Sequence, residues 1–288
     1  MVIDIHAHPL LLDEINENPE DLQFRRQEFG VFKSGINPVD FELVLLEDAK
    51  IDKVVFLPED YSAEVGRAIV SNDEMARIVA RSPEHFIGFA GIDPRREDAE
   101  TELIRAFDEL KLAGLKLNLS RLHIYPDDAC LAPLYKICQD KNKPVMFHAG
   151  YSWEPNTPAK YSEPIRFEDV AVAYPDLRFC LAHMGFPWVK ETAMMILKYP
   201  NVYADTSALY FDSAYEFYGY LFQQELGYGW LDRSLRHKVM FGSNMPRFEE
   251  MRMLAALKRL GLRDETVGLI TEDNALVFLG EREQAWLG

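Results

Sequence analysis

The chain has 288 residues, 48% hydrophobic and 27% charged, a globular composition whose length suits one large α/β barrel or two smaller domains. Lys and Arg total 31 against 47 Asp and Glu, and the resulting formal charge of −16 repels nucleic-acid phosphates and anionic lipid, which argues against both as partners. The opening Met1 to His6 enters a strand-like run without the basic and long apolar regions of a signal peptide, and no window holds about 18 uninterrupted apolar residues; a soluble, cytoplasmic protein is expected.

The first apolar run, Val2 to Ile5, leads directly into His6-Ala7-His8. A polar, acidic connection follows from Pro9 to Asn37, and a loop of that length in a compact domain is expected to be a lid or a pocket wall. Asn37 is placed to cap a helix with Pro38 at its first position. Seven further short runs come next: Lys53 to Leu57, Phe86 to Ala90, Leu115 to Leu117, Val145 to Phe147, Arg178 to Leu181, Val202 to Ala204 and Val239 to Phe241. Helical periodicity fills Ala99 to Ala113, Leu131 to Lys141, Val189 to Lys198 and Glu249 to Leu260, with Gly114 and Gly261 expected to end their helices in the left-handed conformation. Tyr210 to Trp230 is dense in aromatic residues, which suits core packing, an apolar substrate wall or a subunit interface such as that of a homodimer. Strands alternating with helices imply parallel pairing, and eight such units close into a (β/α)₈ TIM barrel. Nothing marks a second domain, so residues 1–288 read as one. Cys130, Cys138 and Cys180 are odd in number, form no CxxC pair, and read as free thiols.

Histidines recur where these strands end. His6 and His8, two apart, should share a face of the first strand and point to the barrel axis. His148 follows the fifth run and His183 the sixth, while Asn244 closes the eighth. Catalytic groups of such barrels sit at the C-terminal ends of strands, and converging neutral imidazoles make a site suited to zinc with a position open for water or substrate.

Met1 to His8, Pro144 to Gly150, Leu181 to Gly185, Asn201 to Ser207 and Phe241 to Pro246 together resemble the successive motifs of the amidohydrolase-related branch of the amidohydrolase superfamily, which includes aminocarboxymuconate-semialdehyde decarboxylase. The resemblance runs nearly end to end. It implies one divalent metal, zinc by its donors, held by His6, His8 and His148, with His183 as the acid, base or electrophile beside the substrate. Lys116, within Gly114 to Asn118, matches a common segment of the branch and is expected to be structural or substrate-orienting; in distant two-metal relatives a lysine here is carboxylated. One departure matters: the eighth-strand motif normally ends in Asp, which touches the metal and takes the proton of the attacking water, whereas this chain has Asn244. An amide can still ligate or hydrogen-bond but cannot act as a base near neutral pH, and general-base participation is worth roughly 10² to 10⁴ in rate. Asp205, in the seventh-strand motif, has a structural role as its leading reading and a compensating carboxylate as the other.

Three functions compete. A metal-dependent hydrolase would cleave an ester, lactone or amide of a small molecule with His183 managing the proton. A non-oxidative decarboxylase would protonate the carbon that loses CO₂ and would need a cationic carboxylate clamp, for which Arg121 is the candidate. A catalytically silent ligand-binding barrel is the third.

Overall fold

The structure is a computed structural model that describes residues 1–283 apart from 32–34, 155, 208–212 and 228. Its strands are β1 (Ile3–Ala7), β2 (Lys53–Phe56), β3 (Phe86–Gly88), β4 (Ala90–Gly91), β5 (Leu115–Leu117), β6 (Val145–Phe147), β7 (Phe179–Leu181), β8 (Val202–Asp205) and β9 (Val239–Met240). All pair in parallel, β1 to β3 in one ladder and β4 to β9 in another. β3 and β4 are the two halves of the third barrel strand, interrupted at Phe89, whose N–H donates to the Phe56 carbonyl at 3.0 Å. The Ile5 N–H donates to the Phe241 carbonyl at 2.9 Å and Ala7 bridges Met245, so the first strand meets the last and the expected eight-stranded barrel closes. The barrel interior is filled by side chains from alternate strand positions, including Ile5, Val55, Met146, Cys180, Tyr203 and Met240. A larger apolar layer lies between the strands and the surrounding helices.

The helices expected over Ala99 to Ala113, Leu131 to Lys141 and Glu249 to Leu260 form in shorter versions, Ala99–Asp108, Ala132–Asp140 and Glu250–Lys258, and Val189–Lys198 forms as expected. Gly261 takes the left-handed conformation with φ 71°. Gly114 does not; Lys111 turns the chain with φ 59° instead, and Gly114 is small because a Cβ there would lie 2.5 Å from the Phe89 ring. Asn37 does not cap the next helix either. Its backbone pairs with Leu12, α2 runs over Val39–Ala49, and the Asp13 carboxylate accepts the Val39 N–H at 3.0 Å.

Within Pro9 to Asn37 lies a helix, α1 (Pro19–Phe29), started by Pro19 behind an Asn18 side chain that accepts the Asp21 N–H and stopped by Gly30 at φ 68°. Buried Arg25 stitches α1 to the barrel through the Ile69 carbonyl at 2.9 Å, Asn16 at 3.0 Å and Glu74 at 2.6 Å. In the aromatic segment, Phe217, Tyr218 and Phe222 join the core while Tyr215 is exposed; Tyr210 lies outside the described residues.

Between β1, α2 and the helix Glu250–Lys258, three carboxyl groups, Asp4, Glu42 and Glu250, are buried together. Burial pushes the Glu250 carboxyl up to about 8, with the neighbouring Glu42 adding to the shift. A raised acid stabilises the folded chain below its ordinary range, and that contribution is lost as pH rises through the folded value. The melting temperature of the wild type should therefore fall between about pH 5 and about pH 8 more than that of Glu250→Gln, whose amide does not titrate. Parallel melting curves across that range would remove Glu250 as the cause.

Candidate metal centre

The strand-face argument for His6 and His8 holds only because β1 is irregular. Ile3 and Ile5 belong to the barrel interior, so strict alternation would turn His6 outward. The pairing with β2 slips between Asp4 and Ala7, and this bulge reverses the alternation after Ile5, so that Ala7 joins the outer apolar layer and His6 and His8 face inward together. The His8 Nδ1 lies 2.9 Å from the Leu57 carbonyl and must donate to it, and the His6 Nδ1 lies 2.8 Å from a carboxylate oxygen of Asp205 and donates likewise. Both Nε2 atoms then carry lone pairs, and they stand 3.3 Å apart. Two lone pairs at that distance repel unless a cation lies between them. A tetrahedral ion about 2.0–2.1 Å from each nitrogen would set them about 3.3–3.4 Å apart.

His148 adds a third nitrogen, its Nε2 buried and without a hydrogen-bond partner among the described residues. These residues fit a divalent metal. Asn244 lines the same cleft with φ 71°, a conformation that Asn tolerates, and its N–H donates to the His6 carbonyl at 2.8 Å. A second grouping, His6, His183 and Asp205, has ligand atoms within 4.8 Å of one another. Asp205, however, already accepts from His6, from the His183 N–H at 2.9 Å and from both the N–H and the hydroxyl of Ser207. It is a hydrogen-bonding hub, and the lone pairs gather on the other edge of His6.

His183 follows β7 with φ 58°, a strained conformation for histidine that costs of order 1–3 kcal/mol. Its Nδ1 sits 2.7 Å from the Ser207 hydroxyl oxygen, and since that hydroxyl donates to Asp205, His183 must donate to it. The proton is thus fixed on Nδ1, and Nε2 is a lone pair on the ring edge away from Ser207, in a ring that lines the cleft. Burial holds the imidazoles of His6, His8 and His183 well below 6.5 and that of His148 at about 3, with Lys116 contributing to each. The histidines are neutral, as metal ligation and proton acceptance both require.

The cleft is narrow, with a cavity volume of about 20 Å³. Lys116 lines it, is buried, and has its ammonium pushed down by desolvation. Arg121 is not in the lining: its guanidinium pairs with Glu28 at 2.9 Å and Glu64 at 3.3 Å. Sequence reasoning missed Glu59, Glu154 and Arg247, all of which face the cleft, and the Ser207 hydroxyl beneath it. Glu59 sits just past a strand end, the position that singled out the histidines, and Ser207 falls inside a motif already quoted. A wider groove lined by Asn142, Arg178 and Asn201 lies at the opposite end of the barrel and gathers no histidine.

The family model for amidohydrolases matches residues 3–280. The chain belongs to the amidohydrolase family. The chain is 27% identical over 135 residues to a 2-amino-3-carboxymuconate-6-semialdehyde decarboxylase of Dictyostelium discoideum, a match to 41% of this chain and 38% of that protein. The matched stretches of the first two curated relatives are 8% and 38% of their lengths. Among solved structures it resembles an uncharacterised TIM-barrel protein of Bordetella bronchiseptica, with TM-score 0.75, 20% identity, and 97% and 99% of the two chains covered. It also resembles a 4-oxalomesaconate hydratase of Rhodopseudomonas palustris, with TM-score 0.68, 18% identity, and 97% and 96% covered. These likenesses show the barrel fold. No helix of the amidohydrolase among the described residues is long and apolar enough to cross a membrane.

Replacing His6 and His8 together by Ala removes two of three neutral nitrogens, so a stoichiometric metal in the purified protein should fall to traces. Elemental analysis that finds the double variant as fully loaded as its parent would show the centre to lie elsewhere.

Proposed function

We propose that this amidohydrolase is a metal-dependent hydrolase of a small-molecule ester, lactone or amide, with His183 as the proton acceptor. The observation that supports this best is the hydrogen-bond chain Asp205–Ser207–His183, which holds the His183 proton on Nδ1 and leaves Nε2 a lone pair. A divalent ion held by His6, His8 and His148, zinc by its imidazole donors, supplies Lewis acidity at the substrate carbonyl. His183 Nε2 takes a proton from the attacking water, Nδ1 keeps its bond to Ser207 as the ring becomes cationic, and Nε2 returns the proton to the leaving group. Asn244, beside His6, offers its amide to ligate or to orient the water, and it removes no proton. Lys116 adds positive charge near the developing oxyanion.

Decarboxylation, the activity in the name of the D. discoideum relative, is less well supported. It requires His183 to donate to carbon from Nε2, whereas Ser207 holds the ring proton on Nδ1. Its clamp candidate, Arg121, is engaged by Glu28 and Glu64. The test is zinc-loaded protein against a panel of lactones and esters followed by pH-stat, with CO₂ release from aromatic acids measured in parallel. Hydrolysis without CO₂ is expected. CO₂ release without hydrolysis would overturn the proposal.

A further inference from the structure

The cleft that holds the histidines is bounded by two carboxyl groups, Glu59 and Glu154, that the hydrolytic step does not use. Glu154 Oε2 is buried and has no hydrogen-bond partner among the described residues. Glu59 accepts the Tyr61 hydroxyl through one oxygen and lines the cleft beside it. The charge of Glu59 acts on Lys116, Arg247 donates to the Phe29 carbonyl, and Glu154 lies in the fields of Arg247 and of Arg121 outside the lining. A substrate carboxylate at this wall would face the charge of Glu59, which already acts on Lys116. Around it stand the Phe29 ring, 4.6 Å from that of His8, and Trp153, about half exposed at the rim. Paired acids beside aromatic faces suit a ring that presents hydroxyl groups on its edge and C–H bonds on its face.

We propose that Glu59 and Glu154 form the recognition wall of the cleft and select a hydroxylated, uncarboxylated lactone or ester. Burial, reinforced by the charge of Glu59, pushes the Glu154 carboxyl up to about 8, so near neutrality Glu154 donates, and Glu59 is free at one oxygen to accept. A hydroxyl does both at once. The bond that is cleaved rests on the hydrolase reading; the recognition does not.

The matched pair δ-gluconolactone and δ-valerolactone, one ring with and without hydroxyls, isolates the wall, and δ-gluconolactam gives a binding readout without turnover. Zinc-loaded wild type should prefer gluconolactone over valerolactone by about 10²-fold in kcat/KM, since a site built for a hydroxyl loses heavily when it is missing. Calorimetric binding of gluconolactam, in loaded and metal-stripped protein, should weaken about 10-fold or more in Glu154→Leu and persist in Glu154→Gln, which keeps a donor. Should Glu154→Leu fail to fold, Glu59→Gln tests the same wall and should also weaken gluconolactam. Binding of gluconolactam that is indifferent to both positions, or tight binding of 2-pyrone-4,6-dicarboxylate, would overturn the recognition. Hydrolysis of valerolactone with no binding of gluconolactam would overturn it while leaving the hydrolase reading intact. Glu154-dependent binding with no lactone hydrolysed would uphold it and remove the hydrolase.

Discussion

Replacing His183 by Ala should lower kcat/KM for hydrolysis by roughly 10² to 10⁴ while leaving the metal content at the parental level. The two readouts separate because the nitrogens proposed to hold the metal belong to His6, His8 and His148, whereas His183 is tied to Ser207 and Asp205. His183 also occupies a left-handed conformation held by Asp205, and Ala fits it no better than His does. A fall in activity with a folded, loaded protein therefore reports the missing imidazole. Full activity in the variant would transfer the proton to another group and remove the basis for the proposed reaction.

Asn244→Asp is expected to raise hydrolysis by about two orders of magnitude, the lower end of what a positioned base contributes. The backbone should accept the change, since Asp tolerates the φ of 71° that Asn244 adopts and the main-chain bonds to His6 and Arg247 do not involve the side chain. The new carboxylate stands beside His6 and His8, where it adds both negative charge next to the ion and a second proton acceptor. Combined with His183→Ala, it should recover part of the lost rate, because the two groups then serve the same proton. An active parent that loses hydrolysis on this substitution, with metal unchanged, would show that the amide itself takes part.

The barrel was legible because its strands are short apolar runs separated by stretches of helical periodicity and its histidines stand where they end. The bulge in β1 was not, since it is a matter of pairing with β2: two residues of one strand facing one of the other leave no mark on the histidine spacing. α1 escaped for a different reason. Its apolar residues form no stripe, so periodicity is silent, although Asn18-Pro19 and Gly30 carried start and stop signals. Of the site, the histidines proposed as ligands were picked out by motif and strand position, while the hydrogen bonds of Ser207 and Asp205 depend on which atom donates to which and needed coordinates. Arg121 shows the converse limit. A cation after the fourth strand suits a clamp until Glu28, on the newly seen α1, is found pairing with it.

Asp205 joins two tasks that are otherwise distinct. One of its oxygens takes the His6 proton, and the other gathers the His183 N–H and Ser207. Whatever draws its charge toward one side withdraws it from the other, so occupancy at His6 and occupancy at His183 are thermodynamically coupled, and such coupling is reciprocal. A non-reacting ligand seated against His183 should change the midpoint at which a chelator strips the ion, and the ion should change that ligand's dissociation constant by the same factor.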